Sequence, residues 1–470
     1  MIFLYRKTAF VKDALMLFLS LSRLQETQYT DKSLAMELRV DLLDRIDLEE
    51  IQNFLRNSIR PVLLTVRKAS QGGKFQGGEL ERETLIQRLL ALEPPFFDLE
   101  WDMSPTFLRE MIESHPKTKF ILSYHNFQEV PANLDEIYQS MQKYAVFHYK
   151  IAAMAHSTND ALKLLLFAKK YSAVSAICMG EKGAFARVLG PIAGNRIGYA
   201  SAGEKTGPGQ LTVQELVDVY RYPFLNEKTA IYGLIGDPVE KSPGHRYHNA
   251  VFQKRGLNAV YVKMVVKPEE LQEFIPLAKT IGIQGLSVTI PLKEKILPFL
   301  DWVEPAAKPI GAVNTLAFKN GQIGGTNTDG LGALDAIEKR GPVRGKKVVL
   351  LGAGGAARAI AFEAKVRGAD VWILNRTVQR AKELARELGG EAGGLDEVPN
   401  DYDVLINCSP DPMPIDPQKM KPNALAMDVV YAPRETDFLK AAALKGCSLI
   451  YGEEMFLNQA ARQTAFWRGS

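Results

Sequence analysis

Residues 348–358 read Val-Val-Leu-Leu-Gly-Ala-Gly-Gly-Ala-Ala-Arg. The four apolar residues predict a buried strand; a helical segment follows the glycines, and a second apolar run occupies 371–374. This strand–turn–helix–strand order, within about 30 residues, is typical of a dinucleotide-binding unit. Gly352 permits a tight turn, Gly354 lets backbone approach a phosphate, and Gly355 begins a helix whose N–H groups favour an anion. The cofactor contacts predicted in this turn are Gly352, Ala353, Gly354, Gly355 and Ala356.

The end of the second strand indicates which dinucleotide is bound. An NAD-binding unit usually carries an acidic residue there, which binds the ribose 2′-hydroxyl. This chain instead has Asn375, Arg376 and Thr377, followed one turn later by Arg380. Two cations without a carboxylate suit a 2′-phosphate, so NADP is the expected cofactor.

Length and composition limit the possible classes of protein. A chain of 470 residues is too long for one core, so two or three domains are expected. The composition, 46% hydrophobic and 24% charged, is that of a soluble globular protein, and a net charge of +4 does not favour nucleic acid as a partner. Cys178, Cys408 and Cys447 have no metal or disulfide spacing, which indicates a reducing compartment. We expect a cytoplasmic protein without a metal site or membrane partner, a plastid location being the alternative.

The N-terminal region contains an apolar run, 14–21, that follows several basic residues as in a signal peptide. Asp13 interrupts that pattern, and the run is shorter than a membrane-spanning segment. We therefore predict a buried amphipathic helix over 14–21.

Short apolar runs recur through the first half of the chain, separated by stretches with helical character. Strands that alternate with helices pair in parallel, and eight such units in about 220 residues predict a (β/α)8 TIM barrel. The weak run 2–5 is the candidate for the eighth strand. The seven clear runs are 35–40, 62–66, 96–101, 120–124, 146–155, 174–179 and 196–200.

Charged side chains cluster at the ends of these strands, where a barrel carries its chemistry. Lys150 stands out because it lies within an apolar strand, and a desolvated lysine has a lowered pKa and can form a Schiff base with a ketone. His125 is the expected proton carrier, oriented by Glu100, while His148 on the strand face of Lys150 is a rival base. The other strand-end candidates are Glu37, Arg39, Arg67 and Arg187.

Four separated motifs in this half resemble type I 3-dehydroquinate dehydratase. They are Glu-Leu-Arg-Val-Asp (37–41), Ser-Tyr-His (123–125), Lys-Ile-Ala (150–152) and Gly-Pro-Gly-Gln (207–210), and the resemblance covers residues 30–222. It implies that Lys150 forms an imine with 3-dehydroquinate and that His125, supported by Glu100, removes the C2 proton. It also implies that substrate oxygens are bound by Glu37, Arg39 and Arg67, and the substrate carboxylate by Arg187, Thr206 and Gln210.

Residues 222–228 form a short polar break, which we interpret as the linker because a new apolar strand begins near 231. Beyond it, Lys293 and Asp329 are an acid–base candidate, since a lysine held by a carboxylate can pass a proton to a ketone oxygen while hydride arrives. Taken alone, this pair also fits two solvated surface residues.

From residue 229 onward the chain resembles shikimate dehydrogenase. The matching segments are Val-Thr-Ile-Pro-Leu-Lys (288–293), Asn-Thr-Asp-Gly (327–330), the glycine turn, Asn-Arg-Thr (375–377) and Gly-Glu-Glu-Met (452–455). The resemblance implies that Lys293 and Asp329 are the catalytic dyad and that a final helix, 453–467, returns to the substrate domain. The implied substrate-binding residues are Ser242, Thr289, Asn314, Tyr431 and Gln459, and the implied NADP-binding residues outside the turn are Asn375, Arg376, Thr377, Arg380 and Gly452.

One position departs from the dehydrogenase pattern, which usually has Ser-x-Ser-Pro near its start to bind the substrate carboxylate. Here Ser242 takes the first serine position and Gly244 the second. The carboxylate loses a donor worth about 1.5–3 kcal/mol unless His245 or a neighbour replaces it. The extra room leaves quinate, which has one more hydroxyl, as an alternative substrate.

The two resemblances together predict a bifunctional shikimate-pathway enzyme: the barrel makes 3-dehydroshikimate, and a two-domain α/β unit with a Rossmann domain reduces it to shikimate with NADPH. The alternative is an inactive regulatory binding protein. Retention of Lys150, His125, Lys293 and Asp329 argues against that alternative. The predicted domains are 1–222 for the barrel, 229–330 completed by 453–470 for substrate binding, and 331–452 for NADP.

Overall fold

The computed structural model of the protein describes residues 15–24, 34–203 and 207–468. The chain forms two compact units. The first comprises the described residues up to Ala230 together with 249–264 and 276–282, and the second comprises 231–248, 265–275 and the described residues from 283 onward.

Eight parallel strands form the barrel of the first unit, which confirms the predicted fold. From β1 to β7 each strand pairs with its neighbour in sequence, and β1 also pairs with β8. The strands are β1 Met16–Leu21, β2 Ala35–Arg39, β3 Val62–Thr65, β4 Phe96–Glu100, β5 Lys119–Asn126, β6 His148–Met154, β7 Val174–Met179 and β8 Ile197–Ser201.

A helix follows each of the strands β2 to β7, and local sequence fixes where several of these helices begin. The Asp47 side chain accepts hydrogen bonds from the N–H groups of Glu49 and Glu50, and Ser157 forms a capping box with Asp160. These caps satisfy N–H groups that a helix start leaves free. The helices are α1 Leu48–Asn57, α2 Glu79–Leu90, α3 Pro105–Ser114, α4 Leu134–Met141, α5 Thr158–Lys169 and α6 Ala184–Leu189.

The barrel closes differently between β7 and β8, which are the two ends of the strand order. The Asn195 side chain, just before β8, accepts a hydrogen bond from Ala176 N at 3.0 Å and donates one to Ala176 O at 2.8 Å. Ile197 N donates to Ser175 Oγ at 3.0 Å. Side chains thus bridge this seam, where main-chain groups would otherwise lack partners.

The prediction of a helix over 14–21 is wrong, because Met16–Leu21 is the first barrel strand. All six residues are buried, and Phe18 faces Ala35 on β2 and Tyr199 on β8. A strand covered on both faces reads as an unbroken apolar run, which periodicity does not distinguish from a buried helix. The weak run 2–5, the candidate for the eighth strand, lies outside the described residues.

Residues 230–338 contain a mixed sheet in which β9, β11, β13, β14 and β12 lie side by side in that order. β11 runs parallel to β9 and antiparallel to β13. The strands are β9 Ala230–Gly236, β10 Ala259–Val265, β11 Ile283–Val288, β12 Trp302–Val303, β13 Thr315–Lys319 and β14 Gln322–Thr326; the helices are α7 Gly244–Lys254, α8 Leu271–Ile281, α9 Leu292–Lys295 and α10 Asp329–Glu338.

The third sheet is parallel throughout, with the order β17-β16-β15-β18-β19-β20. The chain order reverses between β15 and β18, and in such sheets ligands bind in the crevice at this point. Its strands are β15 Lys347–Leu351, β16 Asp370–Leu374, β17 Glu391–Gly393, β18 Val404–Asn407, β19 Leu425–Asp428 and β20 Ser448–Ile450; its helices are α11 Gly355–Val366, α12 Val378–Leu388, α13 Asp437–Leu444 and α14 Gly452–Arg468.

Helix α14 follows the third sheet in sequence but contacts the second. Gln463 accepts a hydrogen bond from Ser287 Oγ at 2.8 Å and donates one to Asn314 O at 3.1 Å. Trp467 Nε1 donates to Leu316 O at 2.9 Å. The last helix therefore anchors residues of β11 and β13 beside the segment that carries Asn314.

The described residues contain no helix that is both long and apolar enough to cross a membrane. Within the same ranges, no cluster of three or more His, Cys, Asp and Glu side chains is arranged to hold a metal ion.

Candidate active sites

Lys150 lies on β6 inside the barrel, and only 6% of the residue is exposed. Its Nζ is 3.5 Å from Asp98 Oδ2 and 4.0 Å from the centre of the Tyr199 ring. Burial lowers the pKa of Lys150, and the carboxylates of Asp98 and Glu37 oppose that shift. The amine is therefore easier to deprotonate than a surface lysine, and the neutral amine is the form that attacks a ketone.

Arg67 connects β3 to two carboxylates on β4. Its Nη2 lies 3.0 Å from Asp98 Oδ2, and its Nη1 lies 3.2 Å from Glu100 Oε1 and donates to Ser123 Oγ at 2.8 Å. Burial opposes the charge, but the two carboxylates raise the pKa of Arg67 above its ordinary value. Arg67 thus stays cationic beside Lys150 and holds Asp98 in place.

Glu100 is bound by cations rather than by the imidazole assigned to it from sequence. It accepts hydrogen bonds from Arg67, from Arg82 Nη1 at 2.5 Å and from Lys68 N at 3.4 Å. Burial raises the pKa of Glu100, although Arg67 and Arg82 oppose this shift. These contacts indicate that Glu100 positions Arg67.

The hydrogen-bond partner of His125 among the described residues is Gln71, whose Oε1 lies 3.2 Å from Nδ1. Gln71 ends a short turn after β3, and its side chain is buried. Burial, with the nearby cations Arg67 and Lys150, holds the pKa of His125 well below its usual value. His125 is therefore neutral near pH 7, and the contact at Nδ1 leaves Nε2 to accept a proton.

The rival base His148 is engaged elsewhere. Its Nε2 lies 2.8 Å from Ser175 Oγ, the same hydroxyl that accepts from Ile197 N at the barrel seam. Burial lowers the pKa of His148 to about 3. The ring is thus a neutral part of the barrel interior, and these contacts favour His125 as the base.

The two residues predicted on β2 have different environments. Glu37 accepts hydrogen bonds from Ser20 Oγ at 2.6 Å and from Thr65 Oγ1 at 3.0 Å. Arg39 forms a two-pronged pair with Asp41, at 2.9 and 2.7 Å. Both side chains are fixed before any ligand arrives, which favours oriented contacts to a small polar molecule.

The predicted carboxylate-binding group is described in part. Arg187 Nη2 donates to Pro208 O at 2.9 Å, whereas its buried Nε has no hydrogen-bond partner in the described part of the chain. Burial lowers the pKa of Arg187 to about 10. Gln210 Nε2 donates to Ser20 Oγ at 3.3 Å, and Thr206 lies outside the described residues.

In the second unit, Lys293 and Asp329 form an ion pair through Nζ and Oδ2. Asp329 begins α10, where the helix dipole favours a carboxylate, and its Oδ1 accepts a hydrogen bond from Asn314 Nδ2 at 2.7 Å. Asn314 Nδ2 also lies 3.4 Å from Gln459 Oε1. The predicted dyad and two predicted substrate ligands therefore occupy one polar cluster.

The other residues predicted to bind the substrate are Ser242, Tyr431 and Thr289. The Tyr431 side chain lies near Ser242, and burial raises the pKa of Tyr431. Gly244 N donates to Ser242 Oγ at 3.2 Å. Thr289, half-buried, follows β11 and donates its N–H to Ile235 O at 2.9 Å. At Gly244 the chain lacks the side-chain hydroxyl of the family pattern, and its main-chain N–H is already bonded to Ser242.

The glycine turn has the form expected of a nucleotide site. Gly352 has a φ of +125°, and a side chain there would meet the backbone of Cys408 at 3.2 Å, so glycine is required. A side chain at Gly354 would meet no atom of the described residues within 4 Å, so open space faces the start of α11. A side chain at Gly355 would lie 3.2 Å from Lys293 Cβ, which brings the turn against the dyad lysine.

The polar group after β16 is exposed on the same sheet. Asn375 Nδ2 donates to Thr377 O at 3.0 Å, which shapes the loop, and Arg376 and Arg380 are exposed. Gly452 begins α14, and a side chain there would lie 2.6 Å from Val430 O. An anion near Arg376 is favoured by charge, as a 2′-phosphate requires.

Three family models match successive parts of the chain. The type I 3-dehydroquinase model matches residues 21–227, the shikimate dehydrogenase substrate-binding domain matches 234–316, and the shikimate/quinate 5-dehydrogenase model matches 335–431. One relative spans all of them: the shikimate biosynthesis protein AroDE of Chlamydia pneumoniae is 36% identical over 441 residues, which cover 92% of this chain and 89% of that protein. The chain belongs to the bifunctional 3-dehydroquinate dehydratase/shikimate dehydrogenase family.

Further comparisons agree with membership of this bifunctional family. The bifunctional 3-dehydroquinate dehydratase/shikimate dehydrogenase of Arabidopsis thaliana, described as chloroplastic, is 34% identical over 468 residues, covering 92% of this chain and 77% of that protein. A crystal structure of a shikimate dehydrogenase in complex with NADP+ is 40% identical, with a TM-score of 0.50, and covers 52% of this chain and 92% of that one.

Asp98 and Gln71 are among the residues of the dehydratase/dehydrogenase chain that join the barrel site without being predicted. Asp98 is two positions before Glu100 on β4, and alternate residues of a strand point to the same face. The sequence could therefore have indicated that Asp98 points inward together with Glu100. Gln71 lies in a loop, and its approach to His125 depends on the fold of the turn after β3. Neither helical nor strand periodicity in the sequence predicts the contact between Gln71 and His125.

Proposed function

We propose that the chain catalyses two successive steps of the shikimate pathway. The barrel dehydrates 3-dehydroquinate to 3-dehydroshikimate, and the second unit reduces 3-dehydroshikimate to shikimate with NADPH. The observation that carries the proposal is the buried Lys150 on β6, with a lowered pKa, next to strand β5, which carries the neutral His125. The family membership and the Lys293–Asp329 pair beside Gly355 support it.

In the dehydratase, the neutral amine of Lys150 attacks the C3 ketone, and loss of water gives a protonated imine. The positive nitrogen withdraws electrons from C2, whose proton His125 accepts through Nε2. The C2–H electrons form the double bond to C1 as the C1 hydroxyl departs, and His125 returns its proton to this hydroxyl, which leaves as water. Water then hydrolyses the imine and regenerates Lys150. Arg67, Glu37 and Arg39 bind oxygens of the substrate, and Arg187 with Gln210 and Thr206 holds its carboxylate.

In the dehydrogenase, Lys293 donates a proton to the ketone oxygen, and Asp329 holds that ammonium in position. Asn314, Gln459, Thr289, Ser242 and Tyr431 bind the substrate around the dyad. When bound, NADPH supplies the hydride that reduces the carbonyl carbon. The residues fit this cofactor because space opens at Gly354 next to the start of α11, while Arg376 and Arg380 offer charge to the 2′-phosphate.

Separate assays of the full chain test this proposal. We expect 3-dehydroquinate alone to yield 3-dehydroshikimate, and shikimate with NADP to yield NADPH. A chain that binds these compounds without converting them would instead be the regulatory binding protein. Absence of both reactions would overturn the proposal.

Quinate is the second candidate substrate of the dehydrogenase, and Gly244 is the observation that favours it. A chain with a hydroxyl missing beside Ser242 has more room and one donor fewer for the substrate. We predict that Gly244→Ser shifts the shikimate-to-quinate ratio of kcat/KM toward shikimate by roughly tenfold, the value of one good hydrogen bond. Steady-state kinetics with both substrates measure the ratio. An unchanged ratio would remove Gly244 as a determinant.

Cofactor choice is assigned to the cations after β16. We predict that Arg376→Ala raises the KM for NADP roughly 10- to 100-fold and leaves the KM for NAD nearly unchanged, because only NADP has the phosphate to pair with. Arg386→Ala is the matched control, because Arg386 is also an exposed arginine but lies further along, on α12. This variant should change neither KM. Equal effects on NAD and NADP would contradict the assignment.

We also propose the domain boundaries 1–222, 229–330 with 453–470, and 331–452, and a cytoplasmic location. The family-model limits and the return of α14 to β11 and β13 support these boundaries.

A further inference from the structure

Two hydroxyl groups on β8 are buried inside the barrel, and no described residue forms a hydrogen bond with either of them. Tyr199 is 7% exposed and Ser201 is fully buried, yet neither the Tyr199 hydroxyl nor Ser201 Oγ has a partner among the described residues. The two residues are separated by one position, so they project from the same face of the strand. A buried hydroxyl without a partner is unfavourable, and native proteins usually retain one where a ligand or water completes it.

The surroundings of the pair place it in the dehydratase pocket. The Tyr199 ring faces Lys150 Nζ at 4.0 Å and stacks on Phe18 with ring centres 5.7 Å apart. Ser201 pairs in register with Ser20, whose hydroxyl donates to Glu37 and accepts from Gln210. Both unpartnered hydroxyls therefore neighbour side chains that the dehydratase mechanism uses.

The charge state of the phenol determines what it can do. Burial raises the pKa of Tyr199 well above its ordinary value, and the carboxylates of Glu37 and Asp98 act in the same direction. The phenol is thus neutral and available as a donor. It suits an uncharged oxygen acceptor, such as a hydroxyl or ketone oxygen of a polyhydroxylated ring.

We propose that Tyr199 and Ser201 bind the ring oxygens of the substrate held at Lys150, as donors for which the described residues supply no partner. This proposal rests on the dehydratase function proposed above and adds two substrate-binding residues to it. Bound substrate would then connect β6, through the imine, to β8, through the two hydroxyls. The polar cost present in the free protein is relieved only when substrate is bound.

One competing partner is a single buried water. Tyr199 and Arg187 both line a cavity of about 10 Å³, which is at the lower limit for one water molecule. A water there would satisfy the hydroxyl in the free protein, so the two explanations predict opposite effects on stability when the hydroxyl is removed.

The experiment combines kinetics and thermal unfolding of full-length Tyr199→Phe and Ser201→Ala. We expect kcat/KM for 3-dehydroquinate to fall roughly 3- to 10-fold in each, the value of one neutral hydrogen bond. We also expect the melting temperature of the free protein to stay equal or rise, because an unsatisfied group is removed. The rise in melting temperature caused by 3-dehydroshikimate should shrink.

Tyr149→Phe is the matched control, because the Tyr149 hydroxyl is satisfied, donating to Tyr144 O at 2.7 Å. It should lower the melting temperature and leave kcat/KM unchanged. Oxidation of shikimate by the second unit should persist in every variant, which checks that each variant chain has folded. A wild-type chain that fails to dehydrate 3-dehydroquinate would overturn the proposed function itself. If the wild-type chain is active but kcat/KM is unaltered in Tyr199→Phe and Ser201→Ala, only this inference is overturned. A lowered melting temperature together with the unaltered kcat/KM would favour the buried water.

Discussion

Replacing Lys150 with alanine is expected to reduce dehydration of 3-dehydroquinate by roughly a thousandfold or more, since removal of a covalent nucleophile costs the whole imine route. The lysine is buried, its pKa is lowered, and Asp98 Oδ2 lies 3.5 Å away, so no other described amine is comparably placed in this pocket. Borohydride added during turnover should trap a covalent adduct on the wild-type chain and none on Lys150→Ala, as read by peptide mass spectrometry.

Lys119→Ala is the matched control for that experiment. Lys119 begins the neighbouring strand β5 and packs over the rings of Phe96 and Phe147, away from the carboxyl ends of the strands. Adduct formation should persist in this variant. The assignment of Lys150 fails if Lys150→Ala is labelled as strongly as the wild-type chain. Shikimate oxidation should continue in both variants because it uses the other unit.

Replacing Asp329 with alanine should lower dehydrogenase turnover by roughly 10²- to 10⁴-fold, the range for loss of an acid–base group. Asp329 is the ion-pair partner of Lys293 and accepts from Asn314, so its removal leaves the proton donor unpositioned. Binding of NADP, measured by fluorescence titration, should be retained because the proposed cofactor contacts lie on the turn after β15 and the loop after β16.

Asp335→Ala provides the control on the same helix. Asp335 pairs with Arg367 and Arg462 rather than with the dyad, so this variant should lose stability and retain turnover. Turnover near the wild-type level in Asp329→Ala, or an equal loss in Asp335→Ala, would contradict the assigned role.

Most of the fold could be predicted from apolar runs that alternate with helical stretches and from the glycine turn after β15. Lys150 could be singled out because a charge inside an apolar strand is rare, and the Gly352 turn could be recognised because strand and helix flank it. Met16–Leu21 was different, since burial on both faces removes the alternation that marks a strand. Length and flanking residues did not separate it from a helix.

The hydrogen-bond partner of His125 was harder to predict than the placing of His125 at the end of a barrel strand. Glu100 has the right charge and strand position to orient an imidazole, but Arg67 and Arg82 satisfy it instead. Gln71 reaches His125 from a loop, where backbone geometry rather than a period of two or 3.6 sets the side-chain direction. Partner choice between polar groups is a tertiary property, because several pairings satisfy the same local sequence.

The ring of strands has one joint that is held by the side chains of Asn195 and Ser175. Local opening motions concentrate where backbone hydrogen bonding is weakest. The barrel should therefore open at this joint, the seam between β7 and β8, more readily than between its other seven pairs of neighbouring strands. Lys150 stands one strand to one side of β7, and Tyr199 lies on β8 itself. A molecule attached at both points would act as a clasp, closing the joint for the lifetime of the imine and releasing it when the product departs.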